Sequence, residues 1–201
     1  MNDYPLLLET IRVEAGWIQN LAAHLDRMDH SRKALKIPLQ PIDFEPIHAL
    51  AADHSSGVYK LRIVYADALK EVTIEPYQIR PVKSLKVVNT DHVVYTHKYA
   101  DRTIINALFQ QRGAADDVLL VKNGRLTDTS HANIALFDGQ TWYTPAHPLL
   151  PGTHRKRLLE ASVLQPKDIL LEDLPKYRAL KLFNAMMTWE ESPVIPVYQI
   201  Q

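Results

Sequence analysis

Hydrophobic and polar positions change their period several times along the chain, and each change marks the end of one element. Leu6 to Val13 reads as a strand running into a turn at Glu14-Ala15-Gly16. Between Ile18 and Leu35 the apolar residues Leu21, Leu25, Met28 and Leu35 fall near helical spacing, which predicts a helix there. Pro38, Pro41 and Pro46 break the next stretch into a turn and a new helix start, because proline fixes φ and lacks an amide proton. Val58 to Tyr65 and Glu71 to Tyr77 predict two strands that pair as a hairpin, with Ala66-Asp67-Ala68-Leu69 as the turn. Thr103 to Gln111 predicts a short helix ending near Gly113. Asp117 to Lys122 and Leu126 to Phe137 predict strands joined at Asn123-Gly124, a pair suited to the positive φ angles of a tight hairpin. Another hairpin is expected at Asp138-Gly139, a helix over Leu158 to Leu164, and closing strands around Leu180 to Ala185 and Val194 to Val197.

Strands and helices mixed in this way give an α/β (α+β) class. The first layer of strands and helix ends before Arg80 and the second begins after Val94, so the expected division is a small domain over 1–81, a connecting segment over 82–94 and a larger domain over 95–201. No internal repeat or low-complexity segment interrupts it. With 201 residues, 46% hydrophobic and 23% charged, the chain is long enough to bury a core.

Charge and cysteine usage narrow the function classes. Lysine plus arginine total 23 and aspartate plus glutamate total 23, so no basic footprint suggests nucleic acid or an anionic membrane as a partner. The chain has no cysteine, which excludes disulfides, thiolate metal sites and a cysteine nucleophile, and fits a reducing compartment. The start, with acids on both sides of a very short apolar run, does not read as a signal peptide, and charges interrupt every hydrophobic run before it reaches membrane length. A cytoplasmic protein is expected.

Several motifs suggest chemistry and then lose it on inspection. His24 and His30 lie on different faces of the first helix, so no metal site is expected there. The six glycines are scattered, without the intervals of a phosphate loop. Ser130 and His131 are neighbours in the expected strand, where adjacent side chains point to opposite faces, and no glycine-flanked elbow surrounds the serine. Acyl transfer is therefore not expected.

Read together, separated segments carry a resemblance. Leu8-Glu-Thr-Ile-Arg-Val13, His24-Leu-Asp-Arg27, His97-Lys98 with Asp101-Arg102, Leu126-Thr-Asp-Thr-Ser-His-Ala-Asn-Ile134, and Tyr143-Thr-Pro145 leading to Leu150-Pro-Gly-Thr-His-Arg155 resemble, in order and spacing, the class IV aminotransferase family. That family includes branched-chain and D-amino-acid aminotransferases and aminodeoxychorismate lyase. The resemblance implies the two-domain D-amino-acid aminotransferase-like architecture (fold type IV), pyridoxal 5'-phosphate in the cleft between domains, a homodimer, and a small-molecule amine or amino-acid-like carboxylate as substrate.

It also implies roles. Lys98 holds the position of the lysine that carries the cofactor as a Schiff base and moves protons. Asp128 holds the place of the acid that keeps the cofactor's ring nitrogen protonated. Most relatives have glutamate there, so the shorter side chain calls for a small strand shift or a bridging water. Arg27 corresponds to the family's phosphate arginine, and Thr153, before the expected helix, to a phosphate donor at a positive helix end. Asn133 matches a family asparagine, and Arg12 and Arg102 are candidate holders of a substrate carboxylate. Without the resemblance, Lys98 reads as a surface lysine and Asp128 as a turn acid. Arg27, Arg12 and Arg102 then read as solvated charges, Thr153 as a helix cap and Asn133 as a strand-end residue.

Relatives usually place another strand and a glycine-bearing loop before the segment that here starts at Leu8, so one wall of the substrate pocket is expected to differ. Phe183-Asn-Ala-Met-Met187 and Val194-Ile-Pro-Val197 resemble the closing strands of aminodeoxychorismate lyases. The expected reaction is thus formation of 4-aminobenzoate and pyruvate, on a route to folate, with Lys98 as general acid and base. The alternatives are a D-amino-acid or branched-chain-type aminotransferase, and a non-catalytic relative acting as a binding protein.

Overall fold

The computed structural model describes residues 4–201, so the first three residues of the segment read as lacking a signal peptide lie outside the described residues. Two compact units emerge: one holds the chain up to Ile79 together with His97–Asp101, the other Arg80–Thr96 and Arg102–Gln201.

The first unit is an antiparallel sheet backed by two helices. Its elements are β1 (Leu7–Glu14), β2 (Trp17–Ile18), α1 (Leu21–Ala34), α2 (Glu45–Ala52), β3 (Val58–Tyr65) and β4 (Leu69–Pro76), with strand order β2-β1-β3-β4. β1 and β3 pair along their full length, from Leu7 opposite Tyr65 to Glu14 opposite Val58. Alternation sends Leu7, Ile11 and Val13 into a core shared with Leu61, Ile63 and Tyr65 of β3, Met28 of α1 and Ile47 of α2. The expected helix start at Ile18 gives way to the short β2. Ala15 and Gly16 turn the chain with φ of 50° and 78°, β2 pairs back on β1, and Asn20 at φ 53° precedes the helix. β4 carries Lys70, Glu71 and Glu75, charges that suit an outer strand.

His97–Asp101 corrects the division expected from sequence, which placed it in the larger domain. The Leu8 amide donates to the Lys98 carbonyl at 2.8 Å, the Ala100 amide donates to the Leu6 carbonyl at 2.9 Å, and Leu7 bridges Tyr99 antiparallel. Lys98 is thereby fastened to β1.

The second unit contains β5 (Leu85–Asn89), α3 (Thr103–Gln110), β6 (Asp117–Lys122), β7 (Arg125–Thr129), β8 (Asn133–Phe137), β9 (Trp142–Pro145), α4 (Thr153–Glu160), β10 (Gln165–Lys167), β11 (Ala179–Phe183) and β12 (Val194–Pro196). The strands run in the order β10-β9-β8-β7-β6-β5, with β11 pairing β8 and β12. Leu119, Val121, Leu126, Ile134, Leu136, Leu180, Leu182 and Ile195 meet in its core.

Three expectations are corrected here. Residues 82–94 are not merely a connection, because Leu85–Asn89 pairs in parallel with β6. The expected strand from Leu126 to Phe137 is two strands: Thr129 closes a turn by donating its amide to the Ala132 carbonyl at 2.9 Å and accepting the Ala132 amide on Oγ1 at 3.1 Å. The helix placed at Leu158 to Leu164 starts at Thr153, straight after extended Gly152, and stops before Ser162, whose φ is 57°. Both glycine turns form as expected: Asn123 and Gly124 have φ of 50° and 74° between β6 and β7, and Gly139 has φ of 113° between β8 and β9.

Candidate active site

In the first unit an acid sits where alternation calls for an apolar residue. Glu9 shares the inward face of β1 with Leu7 and Ile11 and is fully buried (0% exposed). α1 answers it with two side chains at a spacing that shares a helix face. Glu9 Oε2 lies 2.5 Å from His24 Nδ1, and Arg27 donates Nε to Oε1 at 2.9 Å and Nη2 to Oε2. Burial alone pushes Glu9 up, but the charge of Arg27 and hydrogen bonds from His24 and Arg27 more than offset it, bringing its pKa from 4.5 to about 2. His24, which sequence paired with His30, faces Glu9. Sequence reasoning missed Glu9, although a glutamate on the apolar face of a strand was the available signal.

Arg27 is thus held rigidly, with a fork edge committed to Glu9. Arg12 is also buried and directs Nε and Nη2 onto Glu14 at 3.0 and 3.2 Å, two residues along the same face of β1. Lys98 is half-buried and anchored by its own carbonyl on Leu8.

In the second unit Asp128, the penultimate residue of β7, pairs across the sheet with Asn133 of β8. Asn133 Nδ2 donates to Asp128 Oδ1 at 2.6 Å and to the Leu150 carbonyl at 2.8 Å, while the Leu150 amide donates to Asp128 Oδ2 at 3.0 Å. Asn133 Oδ1 also lies so close to Gly152 that a Cβ there would sit 2.1 Å from it. Only glycine fits. Asp128 and Asn133 are thus brought together, with the segment that leads into Thr153. Burial raises Asp128 from 3.8 to about 6, against the hydrogen bonds from Leu150 and Asn133 and the charge of Arg155.

The first turn of α4 is Thr153-His154-Arg155, all buried, without an acid and without a side-chain cap at Gly152. His154 donates Nδ1 to the Asn184 carbonyl at 2.8 Å, and its buried Nε2 has no partner among the described residues. Burial lowers its pKa. Arg155 Nη2 holds the Pro145 carbonyl at 2.8 Å. Arg102, read from sequence as a carboxylate holder, donates Nη2 to the Ser130 carbonyl at 2.8 Å and steadies the turn after Asp128. Asn184, at the end of β11, donates to the His131 carbonyl at 3.1 Å.

This donor set fits pyridoxal phosphate. A buried carboxylate with a raised pKa is relieved by a neighbouring N–H cation such as a pyridinium. In the same unit an uncapped helix start with a hydroxyl and basic side chains offers amides to a phosphate dianion; the first unit, taken by itself, holds a rigidly fixed arginine and an anchored lysine.

Comparison with known proteins bears on the same residues. The amino-transferase class IV family profile matches residues 6–197. A Haemophilus influenzae protein of uncharacterised function is 35% identical over 185 residues, spanning 91% of this chain and 98% of its own. A Haemophilus somnus crystal structure, provisionally named a 4-amino-4-deoxychorismate lyase, is 34% identical with a TM-score of 0.85, covering 92% of this chain and 98% of that one. A hypothetical aminotransferase from Mycobacterium tuberculosis, solved with PLP bound, shares the fold at 16% identity and TM-score 0.79, covering 99% of this chain and 82% of that one. Among the described residues no helix is long and apolar enough to cross a membrane. The chain belongs to the class IV aminotransferase family and is a pyridoxal-phosphate-dependent enzyme with that family's mixed α and β fold.

Proposed function

We propose that this enzyme is a 4-amino-4-deoxychorismate lyase, converting its substrate to 4-aminobenzoate and pyruvate. The observation that carries the assignment of the site is the clamp on Asp128, whose oxygens are fixed by Asn133 and the Leu150 amide beside the start of α4. The choice of reaction is supported by the likeness to the Haemophilus somnus protein and by Phe183-Asn184-Ala185, where β11 delivers Asn184 to both His131 and His154.

When bound, pyridoxal phosphate supplies a protonated aromatic ring that draws electrons from the substrate. Lys98 would hold the cofactor through its amine and would take the proton from the amine-bearing ring carbon of the substrate. Asp128 holds a proton at the ring nitrogen, and Asn133 keeps its carboxylate aimed. Thr153, through its amide and hydroxyl, and Arg27, kept straight by Glu9, bind the phosphate. The homodimer that the family resemblance implies is part of this reading, and sedimentation velocity checks it.

The test is product formation. Purified enzyme loaded with cofactor is given aminodeoxychorismate, and in parallel a panel of L- and D-amino acids with a keto-acid acceptor. Release of 4-aminobenzoate with equimolar pyruvate supports the lyase. Keto-acid exchange without 4-aminobenzoate replaces it with an aminotransferase.

A further inference from the structure

A buried acid at the start of β6 is paired with the histidine of the turn that follows β7, a pairing that the proposed chemistry does not use. Asp117, first residue of β6, is fully buried (0% exposed), and its Oδ2 lies 2.7 Å from His131 Nδ1 and 2.8 Å from Arg80 Nη2. Burial alone raises its pKa, but the hydrogen bond and charge of His131, with a hydrogen bond from Ser130, bring it below the usual carboxylate range. His131 lies in the turn that follows Asp128, and its side chain remains 26% exposed. Its backbone is fixed on both sides: Arg102 holds the Ser130 carbonyl, and Asn184 holds the His131 carbonyl while its own carbonyl takes the His154 proton.

The arrangement is that of a histidine built to exchange protons. With Nδ1 turned to a buried carboxylate, the ring has one orientation and Nε2 is the nitrogen that exchanges. Ser130 Oγ is 3.4 Å from Nδ1, the nitrogen already facing Asp117, so these residues do not form an acyl-transfer triad, which needs the hydroxyl at Nε2. Ser130 and His131 lie in a turn and not in the strand expected from sequence.

We propose that His131, held by Asp117, is a second proton-transfer residue of this enzyme and acts as general acid toward the departing enolpyruvyl group. The inference rests on the lyase reading. Lys98 takes the proton from the amine-bearing ring carbon. The bond from the ring to the enolpyruvyl oxygen then breaks, its electron pair leaving with oxygen, and the His131 Nε2 proton passes to the methylene carbon of the enolate to give pyruvate. One proton is taken by Lys98 and one given by His131, no oxidant is needed, and both residues return to their starting states by exchange with water.

The test compares wild type with His131→Asn and Asp117→Asn. Asparagine at 131 keeps an amide donor for Asp117 while removing the titrating nitrogen. In the His131→Asn chain, kcat for 4-aminobenzoate is expected to fall about 100-fold or more. The decline of kcat at high pH, where the general acid loses its proton, is expected to disappear, with the melting temperature and the cofactor dissociation constant, read by absorbance titration, unchanged. Asp117→Asn is expected to reduce kcat by a smaller factor and keep the high-pH decline. If His131→Asn retains both rate and pH profile, or loses rate only in step with cofactor affinity and melting temperature, the proposal is overturned while the lyase reading stands. A wild-type enzyme that forms no 4-aminobenzoate overturns both.

Discussion

Glu9 Oε1 and Arg27 Nε stand 2.9 Å apart, joining the middle of β1 to α1 through a carboxylate that no water reaches. A buried pair of this kind contributes little net stability by itself, but removing one partner leaves a buried charge unpaired, at roughly 3–5 kcal/mol. Glu9→Gln is therefore expected to lower unfolding stability on that scale and to weaken binding of pyridoxal phosphate through its phosphate. Because Glu9's pKa falls from 4.5 to about 2 in the folded chain, its stabilisation is complete above pH 4.5 and lost as the pH drops toward 2. Denaturant melts of both chains across that window check it: the gap between them should narrow as the solution becomes acid.

Asp128 has the opposite sign. Burial raises its pKa from 3.8 to about 6, so in the cofactor-free chain the neutral acid persists to a higher pH than in an unfolded one. The stability it contributes is fully present below pH 3.8 and lost as the pH rises through 6, by about 3 kcal/mol over the whole shift. Asp128→Asn should leave the cofactor bound through Lys98, Arg27 and Thr153, yet lower turnover on the order of a hundredfold to a thousandfold. Asp128→Glu, which restores the residue most relatives carry, should keep partial activity. Steady-state rates beside visible spectra of the same preparations decide this, and a fully active Asp128→Asn enzyme would remove Asp128 from its assigned role.

Gly152→Ala probes the clamp from the other side. The added Cβ would stand 2.1 Å from Asn133 Oδ1, so Asn133 must move, and with it its bonds to Asp128 and the Leu150 carbonyl. Cofactor affinity and turnover should both fall, while Gly113→Ala, where a Cβ meets nothing within 4 Å, should leave cofactor affinity unchanged despite its positive φ. Equal cofactor affinity in the two variants would contradict the clamp.

The first sheet was legible through its period-two alternation and two hairpins of the second unit through Asn123-Gly124 and Asp138-Gly139, because all of these are local signals. β5 was not, because five residues with a charge among them become a strand only through pairing with β6, far along the chain. Lys98 was identified by its neighbours in sequence, but its attachment to β1 depends on backbone bonds that no side-chain pattern encodes. Reading Leu126 to Phe137 as one strand concealed the turn that presents His131, since Thr129 and Ala132 close it with hydrogen bonds that compete with strand pairing. Glu9 broke the apolar alternation of its strand and so left a signal, but its role, like that of Asp117, is explained only by the partners that the fold brings to it.

The most direct measurement is at Lys98. The wild-type protein is loaded with pyridoxal phosphate, reduced with borohydride, digested and analysed by mass spectrometry. The reduced cofactor should be found covalently on Lys98, and the visible absorbance of the loaded protein should vanish on reduction and be absent from Lys98→Ala. Label on another lysine, or a Lys98→Ala protein with the same absorbance as wild type, would contradict the site described here.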